Sequence, residues 1–303
     1  MREPPPNVSD ADVLAAVRAH WSDEVDGAEH LPVGFGAHHW SATVRGRPAW
    51  FVTLDAFDGK QDAASLEATY AAASGLMFPL DFVVAPVPSH AGTWTVPFAG
   101  GALSVTPWIA GENPATLDLG LVSDMLRRLQ AVTPTPGVRE WTTITPPTLP
   151  ADLVSLVQQP WDKGPYGERA RSAVRGRLDA IEEWSASYHA LADLARRRPW
   201  VLTHGEPGPH NLMVTGDKTR MVDWETLRLA PAERDWRTLV ERGLPTDGLD
   251  AAMLELFDLE WRLDEISQYA AWFSAPHTGT ASDRVAMGGL LHELVRATFQ
   301  PGG

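Results

Sequence analysis

Apolar positions near the start of the chain recur at helical spacing. Val13, Leu14, Val17 and Trp21 form one stripe over residues 10–21, with Ser9 or Asp10 as a cap, and the pattern predicts a helix. The pattern then turns strand-like: residues 31–44 and 45–55 read as strands joined by a turn at 45–48. The alanine-rich stretch 62–77 predicts a helix, and residues 82–89, 92–98 and 102–111 predict further strands. The first third therefore reads as antiparallel sheet with one inserted helix. The remainder reads as mainly helical. Leu117, Leu121, Met125, Leu126 and Leu129 stripe residues 116–132. Residues 151–158 follow a proline-rich connector at 133–150, and residues 167–198 form a long, broken or bent helix. Residues 249–299 complete the helical part.

Composition narrows what such a chain can do. With 303 residues and 44% hydrophobic content it can bury large cores, which points to two lobes. The absence of cysteine excludes disulfides, thiolate metal sites and a cysteine nucleophile. A net charge of −14 disfavours nucleic acid and suits cationic small molecules, although acidic surfaces also serve solubility. The cations are nearly all arginine, Lys60, Lys163 and Lys218 being the lysines. No apolar run approaches the ~20 residues of a membrane span. The first ten residues lack the apolar stretch of a secretory signal. The expectation is a soluble cytoplasmic protein with neither a nucleic-acid nor a membrane partner. There is no G-x-x-x-x-G-K-[ST], no H-E-x-x-H and no G-x-S-x-G.

The chemistry concentrates in residues 201–236. His204, Glu206, His210 and Asn211 fall in a loop rich in glycine and proline, and residues 212–224 read as a short hairpin that ends at Asp223. Glu206, Asn211 and Asp223 are then neighbours. Two carboxylates and an amide oxygen suit Mg²⁺ shared with substrate phosphates, and they leave one carboxylate to orient a nucleophile. His204 and His210 could form a metal pair, but loop histidines are more often structural.

The order H-G-E-x-x-x-x-N, then V-D-W, then Asp235 in the stretch LAPAERDW resembles the aminoglycoside phosphotransferase family, which is related to the protein kinases. That resemblance implies an α+β, two-lobed, protein-kinase-like fold. Residues 1–107 would be the nucleotide-binding N-lobe, and residues 108–303 the helical lobe of catalysis and acceptor binding. It implies Glu206 as catalytic base, His204 as the residue that shapes the loop, and Asn211 and Asp223 as magnesium ligands. Gly34 and Gly36 would approach phosphates. Val105, Thr106 and Trp108 would form the hinge that meets the base.

This chain departs from the family pattern in two places. Glu206 stands where relatives carry aspartate, and the extra methylene shifts the carboxylate by about an ångström. Thr53 stands about where a third-strand lysine is usual, with Glu67 in position as that lysine's partner and Lys60 nearby. Glu260, Trp261 and Asp264 share a helix face and are the acceptor-contact candidates. The implied reaction moves the γ-phosphoryl of ATP or GTP, with Mg²⁺, to a hydroxyl of a small antibiotic-like acceptor, cationic or sugar-bearing, and confers resistance. The alternatives are a kinase for a housekeeping metabolite, and a pseudokinase that binds ligand without transfer.

Overall fold

The computed structural model describes residues 2–34, 36–57, 62–134 and 137–297. Lys60 lies outside these residues, as does Phe35 between the two glycines. Packing divides the chain into two compact units, Met1–Glu140 with Val201–Leu244, and Trp141–Trp200 with Pro245–Gly303. The segment that carries the candidate chemistry thus packs in the unit that holds the main sheet.

In the first unit, α1 (Asp10–His20) starts at a capping box between Ser9 and Asp12. It buries Val13 and Val17 against a five-stranded antiparallel sheet of order β1-β2-β3-β5-β4. The strands are β1 (Val25–Leu31), β2 (His38–Val44), β3 (Arg47–Ala56), β4 (Val96–Phe98) and β5 (Gly101–Pro107). The β2–β3 turn has Arg45 at φ 53° and Gly46 at φ 69°, the handedness a tight hairpin requires.

Strand alternation divides the sheet into two faces. Trp40 and Ala42 of β2, Val52 and Leu54 of β3, and Leu103 and Val105 of β5 form the core with α1. Each Val or Leu among them, fully buried, contributes ~1.5–3 kcal/mol. The cross-strand rows of the opposite face are His39–Thr53–Ser104, Ser41–Phe51–Thr106 and Asp55–Ala102. The helix α2 (Ala63–Leu76), capped by Asp62, packs Leu66 and Tyr70 against Ala102 on that face.

Two departures from the sequence reading have plain causes. Residues 82–89 do not form a strand. Pro86 and Pro88 cannot donate to a ladder, and the pairing is limited to the hydrogen bonds of residues 82–84 with Met221 and one from Val87 to Val105. The edge strand β1 escaped detection because Asp26, Gly27 and Glu29 make it polar, as an unpaired sheet edge favours.

The first unit continues with α3 (Leu119–Gln130). The second unit contains α4 (Leu149–Leu156), α5 (Gly167–Arg175), α6 (Leu178–Ala195), α8 (Ala251–Ser274) and α9 (Ala281–Val295). The predicted long helix is two helices, parted at Gly176 and Arg177. Gly167 is obligatory, since a Cβ there would stand 1.9 Å from the Trp161 carbonyl oxygen. Sheet first and helices after give the expected α+β class. No described helix is long and apolar enough to cross a membrane.

Candidate active site

Strand β6 (Val201–Thr203) pairs with β9 (Arg228–Ala230) and delivers the chain into the His204 loop. A 3₁₀ turn at Pro209–Asn211 and the hairpin of β7 (Leu212–Thr215) and β8 (Lys218–Met221) follow. The loop is clamped from α7 (Glu233–Val240), where fully buried Asp235 accepts the main-chain N–H groups of His204 (3.0 Å) and Gly205 (2.6 Å). Burial pushes the Asp235 carboxyl up to about 6, against the pull of those two donors and of Arg234. Gly205 sits at φ 102° with the Arg234 guanidinium where a side chain would otherwise point.

The tautomer of His204 follows from its partners. Its Nδ1 accepts the Glu206 main-chain N–H at 3.2 Å, so Nε2 carries the proton and donates to the Val222 carbonyl at 2.9 Å. Burial pushes its pKa down to about 4, which keeps the ring neutral in this role. The ring also rests edge-on against Trp224, 4.6 Å between centroids. His204 therefore joins the Glu206 loop to the segment carrying Asp223, and the suggestion of a His204–His210 metal pair is set aside because both His204 nitrogens are engaged.

Glu206 leaves about a third of its side chain exposed (35%), with His210 Nε2 at 3.7 Å. Burial works to raise its pKa, but His210, His204 and Arg234 outweigh it and the carboxyl stays below its ordinary value. Asn211 is buried, and its Nδ2 donates to the Glu206 carbonyl at 2.9 Å. The amide oxygen is thereby the end available to a cation. Asn113 adds a second brace, its Nδ2 donating to the carbonyls of His210 (2.9 Å) and Leu212 (2.8 Å).

Asp223 occupies the left-handed region at φ 66°, a conformation that costs a non-glycine residue about 1–3 kcal/mol. Its carboxyl is held well above the ordinary range by burial among protein atoms and by repulsion from Glu225 and Glu206. Its surface is open to water, so the crowding by like charge is the cause that matters. No group of three or more His, Asp or Glu side chains among the described residues is placed to hold a metal. A two-ligand set, Asn211 and Asp223, still fits a magnesium ion that takes its remaining oxygens from phosphates and water.

The sequence reading missed Asp55, Tyr70 and Glu225. Tyr70 of α2 donates its hydroxyl to buried Asp55 of β3 at 3.1 Å. Asp55 and Glu225 are both pushed up by burial first, and Asp55 then repels Glu225. Asp223 is the second cause acting on Asp55. A carboxylate facing inward from β3, two residues past the absent lysine, was the available signal. Arg228 was missed as well. It donates to Thr69 Oγ1 of α2 (3.1 Å) and to the carbonyls of Glu225 (3.3 Å) and Leu227 (2.7 Å).

The other sequence candidates are placed as follows. Gly34 (φ 74°) and Gly36 (φ 95°) lie between β1 and β2 in conformations that favour glycine. Val105 is wholly buried in the sheet core, and its carbonyl accepts from the Val87 N–H at 2.8 Å. Thr106 faces the opposite side beside Phe51. The Trp108 N–H is committed to the Ala49 carbonyl at 2.9 Å, and its ring lies 6.3 Å from Phe51. Glu67 is not a partner in waiting for a cation. Its oxygens accept the N–H groups of Trp94 and Thr95 and the Thr95 hydroxyl, which fixes that loop to α2. In the second unit, Glu260 is buried beneath α8 and accepts from Trp141 Nε1 (2.9 Å) and Tyr188 Oη (2.7 Å). Trp261 and Asp264 are half-buried, and Asp264 accepts from Gln268 at 2.7 Å.

A family model described as the phosphotransferase enzyme family, APH, matches residues 32–272. Protein StrN of Streptomyces griseus is 27% identical over 281 residues, which cover 86% of this chain and 84% of StrN. Among solved structures, the fold is similar to that of spectinomycin phosphotransferase APH(9)-Ia, crystallised with ADP and spectinomycin (TM-score 0.70, 13% identity, 94% of each chain). It is also similar to that of a microcompartment-associated aminopropanol kinase (TM-score 0.60, 15% identity, 94% of this chain and 95% of that one). The fold is thus the protein-kinase-like α+β fold, and the match across most of its length makes this chain a member of the aminoglycoside phosphotransferase family of phosphotransferase enzymes.

Proposed function

We propose that this protein transfers the γ-phosphoryl group of ATP or GTP to a hydroxyl of a small molecule, with Mg²⁺ held by Asn211 and Asp223. The observation that carries the reading is the single hydrogen-bonded assembly of Asp235, His204, Glu206 and Asn211, which ends at the open carboxylates of Glu206 and Asp223. When bound, the magnesium ion supplies positive charge to the phosphate oxygens. Asn211 presents its oxygen because its nitrogen is tied to the loop. Glu206, kept as a carboxylate by its cationic neighbours, orients the acceptor hydroxyl and takes its proton late. Because the transition state of phosphoryl transfer is loose, positioning and electrostatics contribute most of the catalysis. In this reading residues 1–107 serve the nucleotide, with Gly34, Gly36, Thr106 and Trp108 nearest to it, and residues 108–303 serve catalysis and the acceptor.

The acceptor assigned is an antibiotic, cationic or sugar-bearing, and its modification would give resistance. The fold neighbour solved with spectinomycin supports this class. Trp261 and Asp264 are the proposed acceptor contacts, with Glu260 holding their helix from beneath. A metabolite kinase is the second reading, favoured by the fold similarity to an aminopropanol kinase. The test is incubation of the protein with γ-labelled ATP or GTP, Mg²⁺ and panels of antibiotics and amino alcohols, with and without EDTA. Metal-dependent labelling of an antibiotic is expected. Labelling confined to amino alcohols selects the second reading. Ligand-induced thermal shifts without any labelling reject transfer in favour of a binding module.

A further inference from the structure

Several arginines of this acidic chain meet carboxylates. Arg128 lies 2.7 Å from Asp81, Arg198 2.9 Å from Asp250 and Arg296 2.6 Å from Asp258. Arg139, Arg228 and Arg234 differ. Among the described residues none of the three has a carboxylate within ion-pair distance, yet the fold gathers them around Thr203. Strand pairing sets Arg228 of β9 opposite Thr203 of β6, and the Thr203 hydroxyl donates to the Arg228 carbonyl at 3.0 Å. Arg234 Nη1 donates to that same hydroxyl oxygen at 2.9 Å, and its guanidinium backs onto Gly205. Arg139 arrives at the other edge of β9, where its carbonyl accepts the Leu229 N–H at 2.8 Å and Glu140 bridges to Leu229.

The three cations feel one another. Burial first, then repulsion from Arg139 and Arg234, pushes the Arg228 pKa down to about 10. The carboxylate that pulls the other way on Arg228 is Glu225, which is hydrogen-bonded to Asp55 and itself pushed up to about 8, by burial first. Glu206 feels Arg234, but its stronger partner is His210. Like charges gathered without a counter-ion oppose folding. A compact oxyanion among them reverses that sign, and the guanidinium fork matches its geometry.

We propose that Arg139, Arg228 and Arg234 form a binding site for a compact oxyanion of the phosphate class, behind the loop that carries Glu206. Arg228 reaches α2 through Thr69 Oγ1, and Arg234 reaches the loop through Gly205 and Thr203. A bound oxyanion therefore ties α2 to that loop. The site uses none of Glu206, Asn211 or Asp223 and does not rest on the phosphotransferase reading.

The experiment follows melting temperature in inorganic phosphate against chloride at equal ionic strength, for wild type, Arg139→Ala and Arg196→Ala. Arg139 suits the test because its side chain is exposed and donates no hydrogen bond among the described residues. A ligand of the native state raises the melting temperature, so phosphate should stabilise wild type. Arg139→Ala should bind phosphate roughly 10- to 100-fold more weakly, the worth of one hydrogen bond to a charged group. In chloride it should melt no lower than wild type, since a repulsion is relieved. Arg196→Ala loses the same charge from an exposed pair with Asp193 and should respond to phosphate as wild type does. Saturating ADP without Mg²⁺ should leave the phosphate response in place. Tungstate soaked into wild-type crystals should lie between the three guanidinium groups, a readout independent of how the variants fold. Methyl phosphate separates the two sources of this chemistry: a response equal to that of phosphate assigns the site to a phosphate ester, and no response assigns it to the free ion. An absent phosphate response in wild type, an equal response in Arg139→Ala, loss of the response on adding ADP, or tungstate bound elsewhere would each overturn the proposal.

Discussion

Residues 204–235 and the Thr53 face of the sheet belong to one compact unit, yet they are organised differently. In the loop, each family position is held by main-chain partners close in sequence or by Asp235. His204 N and Gly205 N meet Asp235, Glu206 N meets His204, and Asn211 meets the Glu206 carbonyl. On the sheet, the cation expected at Thr53 is absent, and side chains from β2, β3 and α2 take its surroundings: His39, Asp55 and Tyr70. A loop built on main-chain hydrogen bonds tolerates glutamate for aspartate at its tip, because the fixing atoms belong to the backbone and to Asn211. A sheet site built from cross-strand side chains changes as a set, because each member faces the next.

The sharpest way to break this comparison is at the metal. Asp223→Ala removes a proposed magnesium ligand but no apolar contact, so transfer should vanish while the melting temperature holds or rises as strain and charge crowding are relieved. Near-normal turnover of this variant at saturating Mg²⁺ would mean that the loop is not the reaction site. Next in size is Glu206→Gln, which keeps the shape and loses the proposed proton acceptor. The rate should fall about 10²–10⁴-fold with little change in nucleotide affinity. A loss under about threefold would leave Glu206 a structural role only.

The third prediction concerns pH. His204 has its pKa pushed down to about 4 when folded, against about 6.5 unfolded. Between these values the unfolded chain binds the proton and the native state does not, so stability falls as pH drops through the window, by roughly 3 kcal/mol in total. Urea unfolding at pH 7, 5.5 and 4.5 should show this slope reduced in His204→Asn relative to wild type. Equal slopes would show that His204 is not buried neutral. Asp235 acts in the opposite direction, its raised pKa lowering stability as pH climbs from about 4 to about 6, which is why the variant must be compared with wild type.

The smallest effect tests the sheet side. Tyr70→Phe removes the hydroxyl that Asp55 accepts and should cost about 0.5–1.5 kcal/mol in denaturant unfolding, the net worth of one hydrogen bond, since Glu225 remains a partner of Asp55. Unchanged stability would mean that α2 is held to the sheet by Leu66 and Ala102 packing alone.

How much of this was legible in the sequence varies with the range of the interactions. The H-G-E-x-x-x-x-N and V-D-W spacings located Glu206, Asn211 and Asp223, and Asp235 was found by its distance from them. The predicted hairpin at residues 212–221 and the inserted helix at residues 63–76 match β7, β8 and α2 closely. Edge strand β1 was hidden by its polar residues, whereas the break allowed for in residues 167–198 falls at Gly176 and Arg177. Glu67 had the right spacing for a lysine partner, but its carboxylate is used by Trp94 and Thr95, some 27 residues further along the chain.

The sequence by itself determined the class of the fold, the candidate catalytic segment and the absence of a strand lysine, because periodicity, turn residues and a tightly spaced loop motif are all encoded within a few residues of one another. Only the tertiary structure decided what surrounds Thr53. Which of His38 and His39 shares its face depends on the β2–β3 register, and that register turns on a hairpin and a bulge between Ala42 and Thr43. A shift of one residue would exchange the two histidines. The meeting of Asp55 with Tyr70 and Glu225 likewise depends on α2 and the Asp223 segment packing against the same strand. Such encounters between distant residues leave no periodic trace in the chain, so three-dimensional packing alone reveals them.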